Sequence, residues 1–432
     1  MIRRLAWTDM ALEAVPTPKG EMTLHRSLTS GLCRRAGDPA GTFWGVGDRG
    51  PNIKPKDAVK RYGLDHLAPL AALEGAKVMP APQVGPALAR FRLVGERVEL
   101  EAVMPLHAGD GTPLNGLPPP ELAGAETEPA FALDGTPLPS SPDGADSEGI
   151  AARADGLFWI AEEYGPSLLL VDATGLIHRR LIPEGSAARY AASRVPVIEA
   201  LPALAAARKL NRGFEALATS PDGAMLYVAF QSPLAHPDRA AHAAGDVVRI
   251  WALAAEDGAV QAEYAYPLDP PESFQRDCAA GPVAKGDVKV SELTALGDGS
   301  LLVLERVTLS THIYQVRLGE PVPREFLNPA RLPTLEQLGQ HGGLPLLTKR
   351  RVFSSDACPQ LCGDLEGLIV LDDGSLLLSN DSDYGTEGAV TQVWRVPCQF
   401  TGIIDSDLGI TPVERFDPAH HDQPANQADH DS

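Results

Sequence analysis

Short apolar runs alternate along the chain with clusters of Gly, Asp and Pro, and within many runs every second residue is apolar, the pattern of half-buried strands joined by turns. The runs recur in sets of four. The first set is "SGLCRR", "TFWGVGDRGP", "LARFRLVG" and "RVELEAVMPL", between Ser30 and Leu106. The next is "SEGIAAR", "LFWIAEEYGP", "LLLVDATG" and "LIHRRLIP", ending at Pro183. A third is "FEALATSPDG", "MLYVAFQSP", "VVRIWALA" and "VQAEYAYPL", and a fourth is "SELTALGDG", "SLLVLERV", "HIYQVRL" and "PLLTKRRVF". The fifth, "LEGLIVLDDG", "SLLLSNDSD" and "TQVWRVP", lacks its fourth strand. Such repeats predict an all-β chain built as a β-propeller of four-stranded blades, because each small sheet buries its faces only against its neighbours. Five blades are readable, and a sixth can be assembled from the termini and inserts.

The missing outer strand can come from the N-terminal 29 residues or from the stretch after Cys398, latching the last blade to the first. The chain therefore divides into an N-terminal segment 1–29 that can close the ring, a propeller over 30–400, and a C-terminal segment 401–432. The polar tail "PAHHDQPANQADHDS" is expected to be disordered. Residues 107–145, rich in Gly and Pro, predict a long loop, and "IEALPALAAARKL", 198–210, predicts a helix with Pro202 in its first turn.

With 44% hydrophobic and 22% charged residues among 432, the chain has the composition of a folded globular protein. Its formal net charge of -20 argues against nucleic acid or an anionic membrane as partner. Five cysteines are an odd number and make no complete disulfide framework, and "CPQLC" lacks further zinc ligands at motif spacing. No apolar run of about 18 residues predicts a membrane span. The opening "MIRRLAWTDMALEAVPTPKG" does not resemble a signal peptide, so the expectation is a soluble, by default cytoplasmic protein; a periplasmic or secreted form whose leader had been removed would look the same. Nothing in the pattern speaks to oligomeric state.

Acids recur at matching places in the sets. Superposing the first strands aligns Glu148, Glu215, Glu292 and Glu366, with Ser30 in the first set. In the second strands Asp48, Glu163, Glu305 and Asp381 fall together, with Phe230 in the third. The two positions are 15 residues apart in the second, third and fifth sets, and 13 apart in the fourth. The first strand of a propeller blade lines the channel, and one hairpin returns the chain to the same face, so both acid positions predict one channel mouth. Crowded carboxylates repel and raise one another's pKa unless a cation neutralises them. Oxygen ligands from several directions suit calcium, with Asn380 and Asn52 available to complete its shell. A glutamate before an inner strand can equally accept backbone amides and fix blade packing. The gaps at Ser30 and at Phe230-Gln231 point to one asymmetric site rather than a symmetric cluster. Arg49, Arg212, Arg306 and Lys289 adjoin these positions and can hold an anion or balance the acids.

Other motifs fail on context. "GVGDRG" fits a dinucleotide fingerprint by letter, but "PNIKPK" follows it where a helix should open. "DSDYGTEGAVTQ" lacks the EF-hand glycine and the final acid. There is no G-x-S-x-G elbow and no H-E-x-x-H. His312 follows the Arg306 strand closely and reads as a packed or surface histidine rather than a base.

The segments "DSEGIA", "GLFWIAEEYGPSLLLVDATG", "NRGFEALATSPDG", "SELTALGDGSLLVLER" and "LEGLIVLDDG" resemble the phytase-like family, described by an esterase-like activity of phytase, over roughly Ser30 to Pro397. The resemblance implies a β-propeller and a distant relation to calcium-dependent propeller phytases. Its motif positions carry over to Glu148, Glu163, Tyr164, Arg212, Glu215, Glu292, Glu305, Arg306 and Glu366. The expectation is a calcium-dependent hydrolase of a phosphoester or another ester. Glu148, Glu215, Glu292, Glu366, Asn380 and Asp381 are the candidate ligands. Glu163, Asp48, Glu305, Arg212 and Arg306 are the candidate catalytic groups, and Arg49, Tyr164 and Lys289 the candidate substrate contacts. A small ester fits better than phytate, whose six phosphates demand more Lys and Arg. Two alternatives stay open: a non-catalytic propeller that binds a ligand or partner around structural calcium, and a lactonase-type calcium propeller.

Overall fold

The computed structural model describes residues 2–122 and 126–398. The predicted tail and the whole of segment 401–432 lie outside the described residues. Blade 1 is Gly31–Cys33, Thr42–Val46, Ala87–Val94 and Arg97–Pro105, and blade 2 is Ser147–Ala152, Phe158–Glu162, Ser167–Val171 and Ile177–Pro183. Blade 3 is Phe214–Thr219, Met225–Phe230, Val247–Ala254 and Val260–Pro267, and blade 4 is Lys289–Ala295, Leu301–Arg306, Thr311–Arg317 and Thr348–Ser354. Blade 5 contributes Leu365–Val370, Leu376–Asn380 and Val393–Val396. Its fourth strand is Arg3–Leu5, antiparallel to the third, with Arg4 opposite Trp394. The latch therefore comes from the N-terminal segment. Among the described residues no sheet forms a sixth blade.

The first strands neighbour one another in the order of blades 1 to 5, and blade 5 returns to blade 1, so the sheets close a ring around a central channel. Strands such as "FWIAE" and "SLLLV" are buried throughout, because both faces of each blade pack on neighbours. Where blade 1 meets blade 2 and blade 2 meets blade 3, the channel strands approach too closely for ordinary side chains: a Cβ on Gly149 would lie 2.4 Å from the Glu215 carbonyl oxygen, and one on Gly31 2.5 Å from that of Glu148.

Two local expectations change. Residues 198–210 do not form one helix: Val197–Leu201 is a fifth, parallel strand on blade 2, followed by a 3₁₀ turn at Ala203–Ala207. Val197 and Ile198 favour an extended chain, and Pro202 withholds the amide that would carry a helix across both halves. After "GVGDRG" the chain stays irregular as expected, yet a helix follows at Pro55–Tyr62 with Pro55 in its first turn. This helix and the loop 107–145 meet in a small cap. Its core is Ile53, Ala58, Leu64, Leu67 and Val78 with Leu133, and a parallel pair joins Lys77–Val78 to Ala130–Phe131. No helix among the described residues is long and apolar enough to cross a membrane.

Candidate active site at the channel mouth

Strand register decides which acids meet. In blades 2, 3 and 5 the first hairpin carries a bulge at the glutamate: Ser147 pairs Glu162 while Gly149 pairs Ala161, Phe214 pairs Phe230 while Ala216 pairs Ala229, and Leu365 pairs Asn380 while Gly367 pairs Ser379. The extra residue is Glu148, Glu215 or Glu366, whose side chain is thereby turned into the channel. In blade 4 the bulge falls at Ser291, because Val290 pairs Glu305 and Glu292 pairs Leu304. Glu292 and Glu305 are thus each one residue off the ring, and one residue in a strand reverses the side chain's direction. The positions matching Asp48, Glu163 and Asp381 are Gln231 in blade 3 and Arg306 in blade 4. Phe230, Glu305, Asn380 and Glu162 share the neighbouring position, which faces into the blade.

The contacts follow this division. Glu305 accepts from Tyr266 Oη at 2.7 Å and from the Asp269 amide at 2.6 Å, and pairs with Lys349 at 2.8 Å, between blades 3 and 4. Glu292 accepts the amides of Leu32 and Leu293, both at 3.0 Å, and so plugs the channel below the mouth. Asn380 spends its amide on the Asp381 and Val390 carbonyls and its oxygen on the Gln392 amide, and Asn52 donates to the Gly50 carbonyl. His312 is fully buried, stacked on Phe274 and 2.9 Å from Asp356. None of these five reaches the mouth.

The remaining acids converge. Ligand atoms of Asp48, Asp381 and Asp383, of Asp48, Asp146 and Glu148, and of Glu148, Glu366 and Asp381 lie within 4.8 Å of one another in each trio. All six carboxylates except the rim residue Asp383 are buried. Arg49 pairs with Asp48, Asp146 and Glu128, and Arg306 pairs with Glu366 and, at 2.7 Å, with Asp364. Two guanidiniums thus face six clustered acids, besides Glu128 and Asp364. Among the described residues no group donates a hydrogen bond to Glu148, and Asp146 Oδ1 is buried without a donor. Burial, reinforced by neighbouring acids, pushes Asp48 and Glu148 well above the usual carboxylate range, and burial pushes Asp146 up to about 6. Glu366 is likewise raised by burial, in spite of Arg306.

Glu163 borders the cluster, its Oε2 3.8 Å from Arg49, and burial followed by the Glu215 charge pushes it up to about 7. Glu215 is buried on the far side, taking one hydrogen bond from Ser291 at 3.2 Å, while its Oε2 has no donor. Tyr164 lies under Arg49, which sits 4.7 Å over its ring, so it supports Arg49 from within. Arg212 donates to Gln231 at 2.6 Å. Half-buried Lys289, opposite Arg306 across the hairpin, is lowered to about 8 by burial and by Arg306 and Arg212.

Asp146, Asp364, Asp383 and Glu128 belong to the mouth without having been singled out as site residues. For the first two a signal was available, the repeated D-x-E-G of "DSEG" and "DLEG". Glu128 arrives on the cap and left none. Among the described residues, the four non-glycine residues with positive φ, Asn211, Asp364, Asp383 and Tyr384, all lie here: Asn211 accepts from Arg49, Asp364 from Arg306, and Tyr384 donates to the Asp48 carbonyl. Backbone strain concentrated in one place marks a site whose surroundings hold it for a purpose.

The fold and the mouth define a β-propeller whose channel opens into a buried, strained carboxylate cluster. More particularly, the chain belongs to the phytase-like family, "esterase-like activity of phytase", which matches residues 29–384. An "Uncharacterized secreted protein" of Arthroderma benhamiae is 28% identical over 224 residues, 45% of this chain and 40% of that protein, so the chain spans well under half of that relative. Among solved structures, the calcium-binding protein regucalcin of Agrobacterium tumefaciens is 11% identical, with a TM-score of 0.35 over 87% of this chain and 94% of that one. The Pan2 WD40 domain of Neurospora crassa is 10% identical, with a TM-score of 0.31 over 87% and 91%.

Proposed function

We propose that this propeller is a cation-dependent hydrolase, calcium being the fitting ion, that cleaves a phosphoester or another ester at the channel mouth. The observation that carries this is the donor-free Glu148 and Asp146 Oδ1 in a cluster of six carboxylates that two guanidiniums do not neutralise. Hard oxygen donors converging from three blades suit calcium, which takes six to eight of them in irregular geometry. Asp48, Asp146, Glu148, Glu366, Asp381 and Asp383 would hold it. When bound, the ion supplies Lewis acidity to the ester oxygen and to the attacking water.

The chain's own groups do the rest. Glu163, titrating near neutrality, accepts the proton of the attacking water. Arg212, Lys289 and Arg306 face the acids from blades 3 and 4 and receive the developing negative charge. Arg49, braced by Tyr164 and Glu128, holds Asp48 and Asp146 in place. The family's description supports the ester bond, and the small number of cations at the mouth supports a compact substrate.

The test is hydrolysis of chromogenic phosphate, carboxylate-ester and lactone substrates, with calcium and with chelator. One class should turn over, and chelation or Glu148→Gln should lower the rate at least about 100-fold. Undiminished turnover in both would overturn the reading. A second reading has its own observation: the trio Asp48, Asp381 and Asp383 joins blade 1 to blade 5, where an ion would act as a structural clasp. No turnover of any ester, with calcium still raising the melting temperature, would select that reading.

A further inference from the structure

The seam between blades 5 and 1 carries a chain of hydrogen bonds that ends on one carboxylate of the mouth. Ser27 Oγ donates to Asp381 Oδ1 at 2.5 Å, Ser382 Oγ donates to Ser27 Oγ at 3.1 Å, and His25 Nε2 lies 3.0 Å from Ser382 Oγ. Beside this contact, Asp9 Oδ2 stands 3.7 Å from the same Nε2, beyond hydrogen-bond distance. Ser27 and Ser382 are fully buried and His25 nearly so.

A hydroxyl has one proton to give. Ser27 gives its proton to Asp381, so Ser382 must give its own to Ser27, and the Ser382 oxygen is left to accept. His25 Nε2–H therefore donates into the chain, with Thr391 Oγ1, 3.3 Å from Ser382 Oγ, as the other donor. Donation runs one way, from imidazole to carboxylate. The ring is confined: a Cβ on Gly385 would lie 2.6 Å from its Cε1 and 2.7 Å from its Nδ1. Gly385 closes a left-handed run with Asp383 and Tyr384, at φ of 78°, 46° and 55°, and the His25 amide donates to the Tyr384 carbonyl at 3.1 Å. Asp381 Oδ1 also takes the Asp383 amide at 2.8 Å, while Oδ2 takes only Ser30 Oγ at 2.9 Å. A carboxylate has about four lone-pair sites, so the one left open is on Oδ2.

We propose that His25 is a positioning residue: through Ser382 and Ser27 it fixes Asp381 with its open Oδ2 site toward the cluster, and so sets the affinity of the mouth for a divalent cation. The inference rests on the cation reading above. Groups that orient a metal-binding side chain without touching the metal typically change affinity about 10–100-fold when removed.

The experiment is calorimetric titration of the full chain with calcium alone, with no substrate present. His25→Phe and Ser27→Ala should each weaken binding about tenfold, and the double variant should be no weaker than Ser27→Ala, because the two act in series. His25→Gln, whose amide can still donate, should stay within about threefold of the wild type. Melting in chelator reports on folding, and should His25→Phe not fold, Ser27→Ala against His25→Gln carries the comparison. A His25→Phe protein that binds calcium as the wild type does, or a double variant that sums the two losses, would overturn the proposal and leave the cation reading standing. A wild type that binds no calcium would overturn both.

Discussion

Blades 2 and 4 share a hairpin without a gap, from Asp146 to Glu163 and from Lys289 to Arg306, yet carry opposite charges at the mouth. Asp146, Glu148 and Glu163 in one stand where Lys289, Ser291 and Arg306 stand in the other. Because the backbones agree, the difference lies in the side chains alone, and it makes the mouth bipolar: acids from blades 5, 1 and 2 face cations from blades 3 and 4. A symmetric ring of acids would hold only cations. A bipolar one can hold a cation and the anionic part of a substrate together.

The largest expected effect breaks the basic side. Arg306→Met leaves Glu366 buried without its partner, and should cost about 3–5 kcal/mol in urea denaturation with chelator present. On the acidic side, Glu148→Gln should weaken calcium binding at least about tenfold by calorimetry, while raising the chelated protein's melting temperature by a few degrees, since a donor-free carboxyl whose ionisation burial and neighbouring acids oppose is replaced by an amide that never ionises.

A smaller effect is set by pH. Asp146 and Glu163 hold their protons to about 6 and about 7 in the folded chain and lose them earlier when unfolded. Between about pH 4 and 7 the folded state therefore binds more protons, and stability without a cation falls as pH rises. Melting scans in chelator should decline from pH 5 to 8, and added calcium should restore more at pH 8. A flat profile would show that the acids are already compensated. The smallest effect belongs to Glu292→Gln, which alters the plug below the mouth and should leave calcium affinity within about twofold.

Most of the architecture was legible from the strand pattern, because every blade is made of local hairpins whose runs and turns recur. The latch was legible only as a choice between two ends, since a three-residue strand has no period. The site was legible in part. Aligning acid with acid put Glu292 beside Glu148 and shortened the fourth interval to 13, whereas aligning the turns "ADG" and "GDG" puts Ser291 there and restores 15. Chemistry suggested a ring of acids; the bulge, which belongs to the backbone, decided its members. Glu128 lay beyond such reasoning, because only the packing of the cap against Tyr164 and Arg49 brings it in.

The pairing of Arg3–Leu5 with Val393–Val396 also has a consequence in time. During translation the latch strand leaves the ribosome before blades 1 to 4, and its partner strand only after them. The first four blades must wait, with one sheet edge unsatisfied, until the fifth is made. A nascent chain that stalls before that point remains an open spiral with a sticky edge, and that edge is what a chaperone or a protease would meet.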